Sequence, residues 1–150
     1  MDFLVLVHML AGAAWFGGHV YVEGLMASAE RTGDPETVMT VGVRVAKTNG
    51  RLLMTAGFTT LITGVAIVFT TGWQFEEVFV AVGLTLTVLS LLFAVTILKP
   101  REDRLEKLAA EHGLTAPEVM AELKRTAMLG RGMALVVTIV IILMILKPGL

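Results

Sequence analysis

Residues 8–23 read His-Met-Leu-Ala-Gly-Ala-Ala-Trp-Phe-Gly-Gly-His-Val-Tyr-Val-Glu, and they form the central part of the first long apolar stretch in the chain. At about 100° per residue in an α-helix, a set of them falls within one arc of about 80°. These residues are His8, Gly12, Trp15, His19 and Glu23. The histidine and glutamate side chains of this segment therefore share one face, and its two histidines lie about 16 Å apart along the axis at ~1.5 Å per residue.

The composition is that of a membrane protein. Hydrophobic residues make up 55% of the 150 residues and charged residues only 17%, which is too apolar for an ordinary soluble domain of this size. The absence of cysteine excludes disulfides, thiolate metal sites and cysteine nucleophiles. A net charge of −1 gives no indication of nucleic-acid binding.

Four apolar stretches are long enough to cross the bilayer as helices, at about 3–28, 52–71, 76–98 and 128–147, because the hydrocarbon core requires about 20 helical residues. They predict an all-α integral membrane four-helix bundle that forms a single domain over residues 1–150. The hydrophilic residues 100–127 predict a helical extension in the cytoplasm.

Short local signals predict where these helices begin and end. Asp34, followed by Pro-Glu, is typical of an N-cap that opens a short helix, and Asn49-Gly50 is predicted to end it before the second span. Gly113 is predicted to separate two helices of the extension. The second of these helices is expected to begin at the capping box Thr115–Glu118 and to continue into the fourth span.

The distribution of basic residues predicts the orientation. Of the 12 Lys and Arg residues, all except Lys147 lie on the side of the two long connections, and such an excess marks the cytoplasmic side. These residues are Arg31, Arg44, Lys47, Arg51, Lys99, Arg101, Arg104, Lys107, Lys124, Arg125 and Arg131. We therefore expect a multi-pass protein of the cell inner membrane with both termini outside.

His8 and His19 are the first candidates for chemistry, because ionisable residues inside a membrane are costly and are often functional. Two histidines on one stripe, with Gly12 exposing backbone and Trp15 beside it, favour a bound haem b with histidine ligands. The alternative is a scaffold in which each imidazole only hydrogen-bonds to a neighbouring threonine or carbonyl.

The second axial ligand is open at this stage. Met133 and Met144 are also eleven residues apart, and the antiparallel fourth span would place Met144 near the depth of His8 and Met133 near that of His19. Two cofactor levels are therefore expected, unless the methionines only fill the core or a homodimer shares the histidines. Arg51 and Arg131 are the expected partners of haem propionates, whereas an ion pair with Glu23 is the structural alternative.

The pattern His8-x3-Gly12-x2-Trp15, with Arg51-Leu opening a span that has Thr63-Gly near its middle, resembles the HemJ-type protoporphyrinogen oxidases and the related CopD-like copper resistance membrane proteins. The resemblance covers roughly the first 70 residues. In the oxidases it implies a haem ligand at the position of His8 and a lysine in the third span, where residues 76–98 of this chain contain none. In the CopD-like proteins it implies copper handling, for which His and Met are suitable ligands.

The sequence therefore predicts a haem b binding membrane protein that acts in electron transfer, haem handling or redox sensing. Porphyrinogen oxidation is the enzymatic alternative. A second alternative is copper binding or transport through His8, His19 and the two methionines. The expected partners are the lipid bilayer, a second copy of the chain and a redox partner that the sequence does not identify.

Overall fold

The computed structural model describes residues 3–148, and at positions 48 and 49 it describes the backbone alone. Its helices are α1 (Phe3–Arg31), α2 (Pro35–Thr70), α3 (Val78–Phe93), α4 (Lys99–His112) and α5 (Pro117–Leu146), and a short π-helical segment, Ala94–Leu98, joins α3 to α4. Four continuous helical rods are long and apolar enough to cross a membrane. The prediction of an all-α four-span bundle is confirmed.

The four rods form two long hairpins that pack against each other. α1 packs mainly along α2, α3 mainly on α5, and α4 on both α2 and α5. We call the end of the bundle with Phe3, Leu146 and the connection 71–77 the terminal end, and the end with the turns 32–34 and 113–116 the hairpin end.

The outer surface of the membrane-spanning part is apolar. Exposed side chains of large hydrophobic residues occur on every rod, for example Leu10 at 61%, Ile62 at 65%, Leu89 at 56% and Leu135 at 62%. Such a surface is too extensive for a soluble monomer and suits a lipid environment. Contact with the bilayer therefore follows from the fold itself.

The bundle has two apolar cores, one at the hairpin end and one in the membrane-spanning part. The hairpin end is packed around Met26, Met39, Ala46, Leu105, Val119 and Leu123. The membrane-spanning part is packed around Trp15, Ala56, Met133 and Val137. The hydrophilic extension is consequently a continuation of the four rods with its own core.

The predicted helix end at Asn49-Gly50 is wrong, because α2 runs without interruption from Pro35 to Thr70. Gly50 does not adopt a positive φ, unlike Gly33, Gly72 and Gly113. A Cβ at Gly50 would lie 3.0 Å from Glu102 Oε2, so the glycine permits close approach of α4 instead of ending the helix. Packing of α2 against α1 and α4 overrides the low helix propensity of the Asn-Gly pair.

Two further helix boundaries differ from the prediction. The third span does not stop before Pro100, since the π-helical segment leads directly into α4; a wider turn accommodates a residue that cannot donate a backbone hydrogen bond. The N-cap of α5 is Ala116 and not Thr115, and no side chain caps it. The predicted break at Gly113 is confirmed by its φ of 84°.

The predicted N-cap at Asp34 is confirmed. Its carboxylate accepts hydrogen bonds from the backbone N–H groups of Glu36 at 3.2 Å and Thr37 at 3.1 Å. The hydroxyl of Thr37, together with these two N–H groups, holds the pKa of Asp34 below its usual value. The ionised carboxylate thus stabilises the start of α2.

Candidate functional site

A cavity of about 620 Å³ lies at the terminal end of the bundle between α1, α2, α3 and α5. We call it the large cavity. Its wall is mostly apolar and aromatic and includes both tryptophans, Trp15 and Trp73. Its volume lies within the range of about 300–1,000 Å³ that is usual for small-molecule and cofactor sites.

His8 is the histidine on this wall, and its hydrogen bonds define which ring nitrogen carries the hydrogen. Nδ1 lies 3.0 Å from the carbonyl oxygen of Thr60 and 3.0 Å from Oγ1 of Thr63. Because the Thr63 hydroxyl donates to the carbonyl of Thr59 at 2.6 Å, both oxygens accept from Nδ1–H. In the neutral ring the lone pair is therefore on Nε2, the atom that can bind a metal.

The position of His8 depends on a glycine in the facing helix. A Cβ at Gly64 would lie 3.0 Å from Cε1 of His8, which is closer than the usual contact of about 3.5–4.0 Å between carbon atoms. Gly12, on the same helix face as His8, is buried, and a Cβ there would be 3.7 Å from Ile141. Glycine at position 64 thus allows the Cε1 edge of the imidazole to approach α2 closely.

Met144 lines the same cavity as His8, so the two residues that the sequence predicted at the same depth lie at one site. Its methyl group lies against Gly83 of α3, where an added Cβ would be only 2.2 Å from Cε. The thioether therefore occupies space that any side chain at position 83 would take. A flexible thioether in this place can repack around a bound molecule.

His19 and Met133 also line one cavity together, but it is small. His19 is only 7% exposed and Met133 only 5%, and the two cavities beside His19 measure about 70 and 40 Å³. At roughly 30 Å³ per molecule, such volumes hold one or two waters. Trp15 lies between the large cavity and the small cavity, since it borders both and its ring centre is 6.5 Å from that of His19.

The two predicted propionate partners are not on the wall of the large cavity. Arg131 donates to Glu30 at 2.7 Å and to Glu23 at 3.3 Å, so it holds α5 to α1 through ion pairs. It borders one of the small cavities. The side chain of Arg51 is exposed and borders none of the three cavities. The ion pair considered for Glu23 is present.

Lys147 is the charged residue that sequence reasoning missed. It lines the large cavity, and its ammonium group lies 4.7 Å from the ring centre of Trp73 and 5.8 Å from that of Phe79. Its backbone has a φ of 44° at the end of α5. The sequence signal was available, because Lys147 is the one basic residue on the terminal side of the spans.

Of the predicted site residues, the structure brings His8, Gly12, Trp15 and Met144 to the large cavity. It places His19 and Met133 at a small cavity, on the side of Trp15 that faces the hairpin end. Arg51 and Arg131 lie outside the large cavity, towards the hairpin end. The sequence predicted only that a threonine or a carbonyl could be the partner of the imidazole, and the structure identifies these partners as Thr60 and Thr63.

The comparison with known families gives one result. A family model described as "Predicted integral membrane protein (DUF2269)" matches residues 2–148, almost the entire chain. No match to the chain is found among curated proteins or among solved structures.

Proposed function

We propose that this chain, which belongs to the DUF2269 family of integral membrane proteins, binds one haem b in the large cavity with His8 as an axial ligand. The observation that carries the proposal is the hydrogen bonding of the imidazole. Two oxygen acceptors hold Nδ1–H and leave the Nε2 lone pair available on the wall of a cofactor-sized apolar cavity.

The residues around His8 suit a flat macrocycle. Gly12 and Gly64 have no side chains and so leave space beside the imidazole. Trp15 separates the large cavity from the small cavity beside His19. When bound, haem would supply an iron centre capable of reversible one-electron transfer. The chain itself orients the ligand nitrogen and surrounds the ring with mostly apolar side chains.

Haem suits the donor set better than a copper ion does. The ligands that copper would share are divided between two cavities, because His8 and Met144 line the large cavity whereas His19 and Met133 line a small one. A macrocycle brings its own in-plane nitrogen ligands and needs only axial ligands from the protein. Copper binding therefore ranks second among the candidate functions.

Porphyrinogen oxidation, the activity of the HemJ-type proteins that the first helix resembles, has less support. The resemblance implies a lysine in the third span for that activity, and residues 76–98 of this chain contain none. Glu23, the acidic residue on the same helix face as His8, does not line the large cavity and is paired with Arg131 near the hairpin end. We therefore propose haem binding for electron transfer, haem handling or redox sensing, and not for oxidation of a porphyrinogen.

The test is the haem content per chain, measured as the pyridine haemochrome of purified full-length protein. His8→Ala is expected to lose nearly all haem, whereas His112→Ala, at the end of α4 in the hairpin end, is expected to keep it. Unchanged haem content in His8→Ala would refute the proposal. A low-spin spectrum that becomes high-spin in Met144→Leu would indicate His/Met ligation, which is suited to electron transfer.

The same assay decides the role of His19. The small volumes beside it favour a single haem per chain, in which case His19→Ala retains haem. Loss of about half the haem in each histidine variant would indicate the two levels predicted from the sequence. Loss of nearly all haem in either variant would indicate a bis-histidine site shared in a homodimer.

A further inference from the structure

We infer that the large cavity takes an amphiphilic ligand with a flat apolar body and a carboxylate, and that Lys147 binds the carboxylate at the terminal end of the bundle. This inference deepens the proposed function and rests on it only for the identity of the ligand as a tetrapyrrole. It replaces Arg51 and Arg131, the expected propionate partners, with one residue that the structure places at the cavity.

The charge distribution of the cavity carries the inference. Lys147 is the only residue with a formal charge among the described residues that line it, and the acidic neighbours Glu76 and Glu77 do not belong to the lining. None of the ion pairs among the described residues includes Lys147. A single cation at the edge of an apolar cavity is complementary to a single type of ligand group, an anion attached to an apolar body.

The position of the ammonium group supports the same conclusion. Lys147 follows Met144 by three residues, which places it about 4.5 Å further along the axis at ~1.5 Å per residue. Its left-handed backbone ends the helix there. Trp73 and Phe79, themselves in edge-to-face contact at 5.2 Å, hold the ammonium group over their rings.

This arrangement gives the ligand a direction. The apolar body would lie among the aliphatic and aromatic residues near His8, and the carboxylates would lie at the terminal end, where water and the membrane interface are close. With the orientation predicted from the basic residues, the carboxylates face the outside.

The experiment compares two metal-free ligands, protoporphyrin IX and its dimethyl ester, which have the same ring and differ in carboxylate charge. Binding to full-length protein in detergent is followed by quenching of tryptophan fluorescence, because both tryptophans line the cavity. Lys147→Gln is expected to weaken binding of the free acid about fivefold, corresponding to ~1 kcal/mol for a partly exposed ion pair. It is expected to leave binding of the ester unchanged.

Two variants serve as controls. Lys147→Arg keeps the charge and is expected to bind the free acid within about twofold of wild type. Lys124→Gln removes an exposed lysine from the opposite end of the same helix and is expected to change neither affinity. The ester measured on each variant also reports whether the cavity is folded.

The outcomes separate this inference from the proposed function. An equal effect of Lys147→Gln on both porphyrins, or no effect on either, would overturn the role of Lys147. If neither porphyrin binds the wild-type protein, this inference fails, whereas the proposed function is judged separately by the haem content of wild type and His8→Ala. Because these ligands contain no metal, a carboxylate-selective effect of Lys147→Gln with unchanged haem in His8→Ala would refute only the ligation by His8.

Discussion

The substitution Gly64→Ala tests whether the orientation of His8 matters for the site. The added Cβ would lie 3.0 Å from Cε1 of the imidazole, so the ring must move by about 0.5–1 Å to reach a normal contact distance. Such a movement lengthens the 3.0 Å contacts of Nδ1 with Thr60 and Thr63 beyond hydrogen-bonding distance. Loss of a partner that orients a metal-binding histidine typically lowers affinity about 10-fold or more.

The stability of the same variant should change little. Replacing glycine by alanine inside a helix stabilises it by up to about 1 kcal/mol, while the displaced ring and its lost hydrogen bond cost about 1–3 kcal/mol. The expected net loss in the free energy of unfolding is thus about 0–2 kcal/mol. We therefore expect Gly64→Ala to change the haem affinity much more than the stability of the fold.

The assay is a haem titration followed by the Soret band, together with a thermal melt of the full-length protein in detergent. Gly17→Ala is the matched control, because no atom lies within 4 Å of a Cβ placed there. We expect Gly17→Ala to bind haem like wild type and to be slightly more stable. If Gly64→Ala binds haem as tightly as Gly17→Ala, the reasoning from the Nδ1 hydrogen bonds is refuted.

Three further predictions concern the hairpin end and the orientation. Arg101→Met is expected to lower the free energy of unfolding by about 3 kcal/mol in a denaturation experiment, because it leaves the buried carboxylate of Glu122, now paired at 3.0 Å, without its partner; a melt like that of wild type would contradict this. The pKa of Asp34 is lower in the folded chain than in the unfolded chain, so the stability that its carboxylate contributes is complete above the unfolded pKa and is lost as pH falls through the folded pKa. Asp34→Asn, which caps a helix without titrating, should reduce this loss in melts recorded from neutral to acidic pH, and identical profiles would exclude the role of the charge. A cysteine introduced at Leu150, which lies outside the described residues, should react with an impermeant reagent added to the outside of intact cells, whereas labelling only from the cytoplasm would reverse the topology.

The features that the sequence predicted correctly depend on short segments and on the thickness of the bilayer. The four spans follow from runs of about 20 apolar residues, because each backbone polar group in lipid must be hydrogen-bonded within its own helix. The N-cap at Asp34 and the break at Gly113 are equally local, since a side chain or a backbone angle at one position determines them. The common face of His8 and Gly12 is likewise a property of one helix.

The tertiary structure decided what depends on contacts between helices. Gly50 lies inside α2, although its sequence is typical of a helix end, because α4 packs against it. The threonines that orient His8 are more than 50 residues away in the chain, and a hydrophobic pattern does not specify which of several threonines is in reach. The same holds for Lys147, which reaches the large cavity only because α5 ends beside Trp73 and Phe79. Periodicity determines the face of one helix, whereas the packing of four helices determines which faces meet and at what depth.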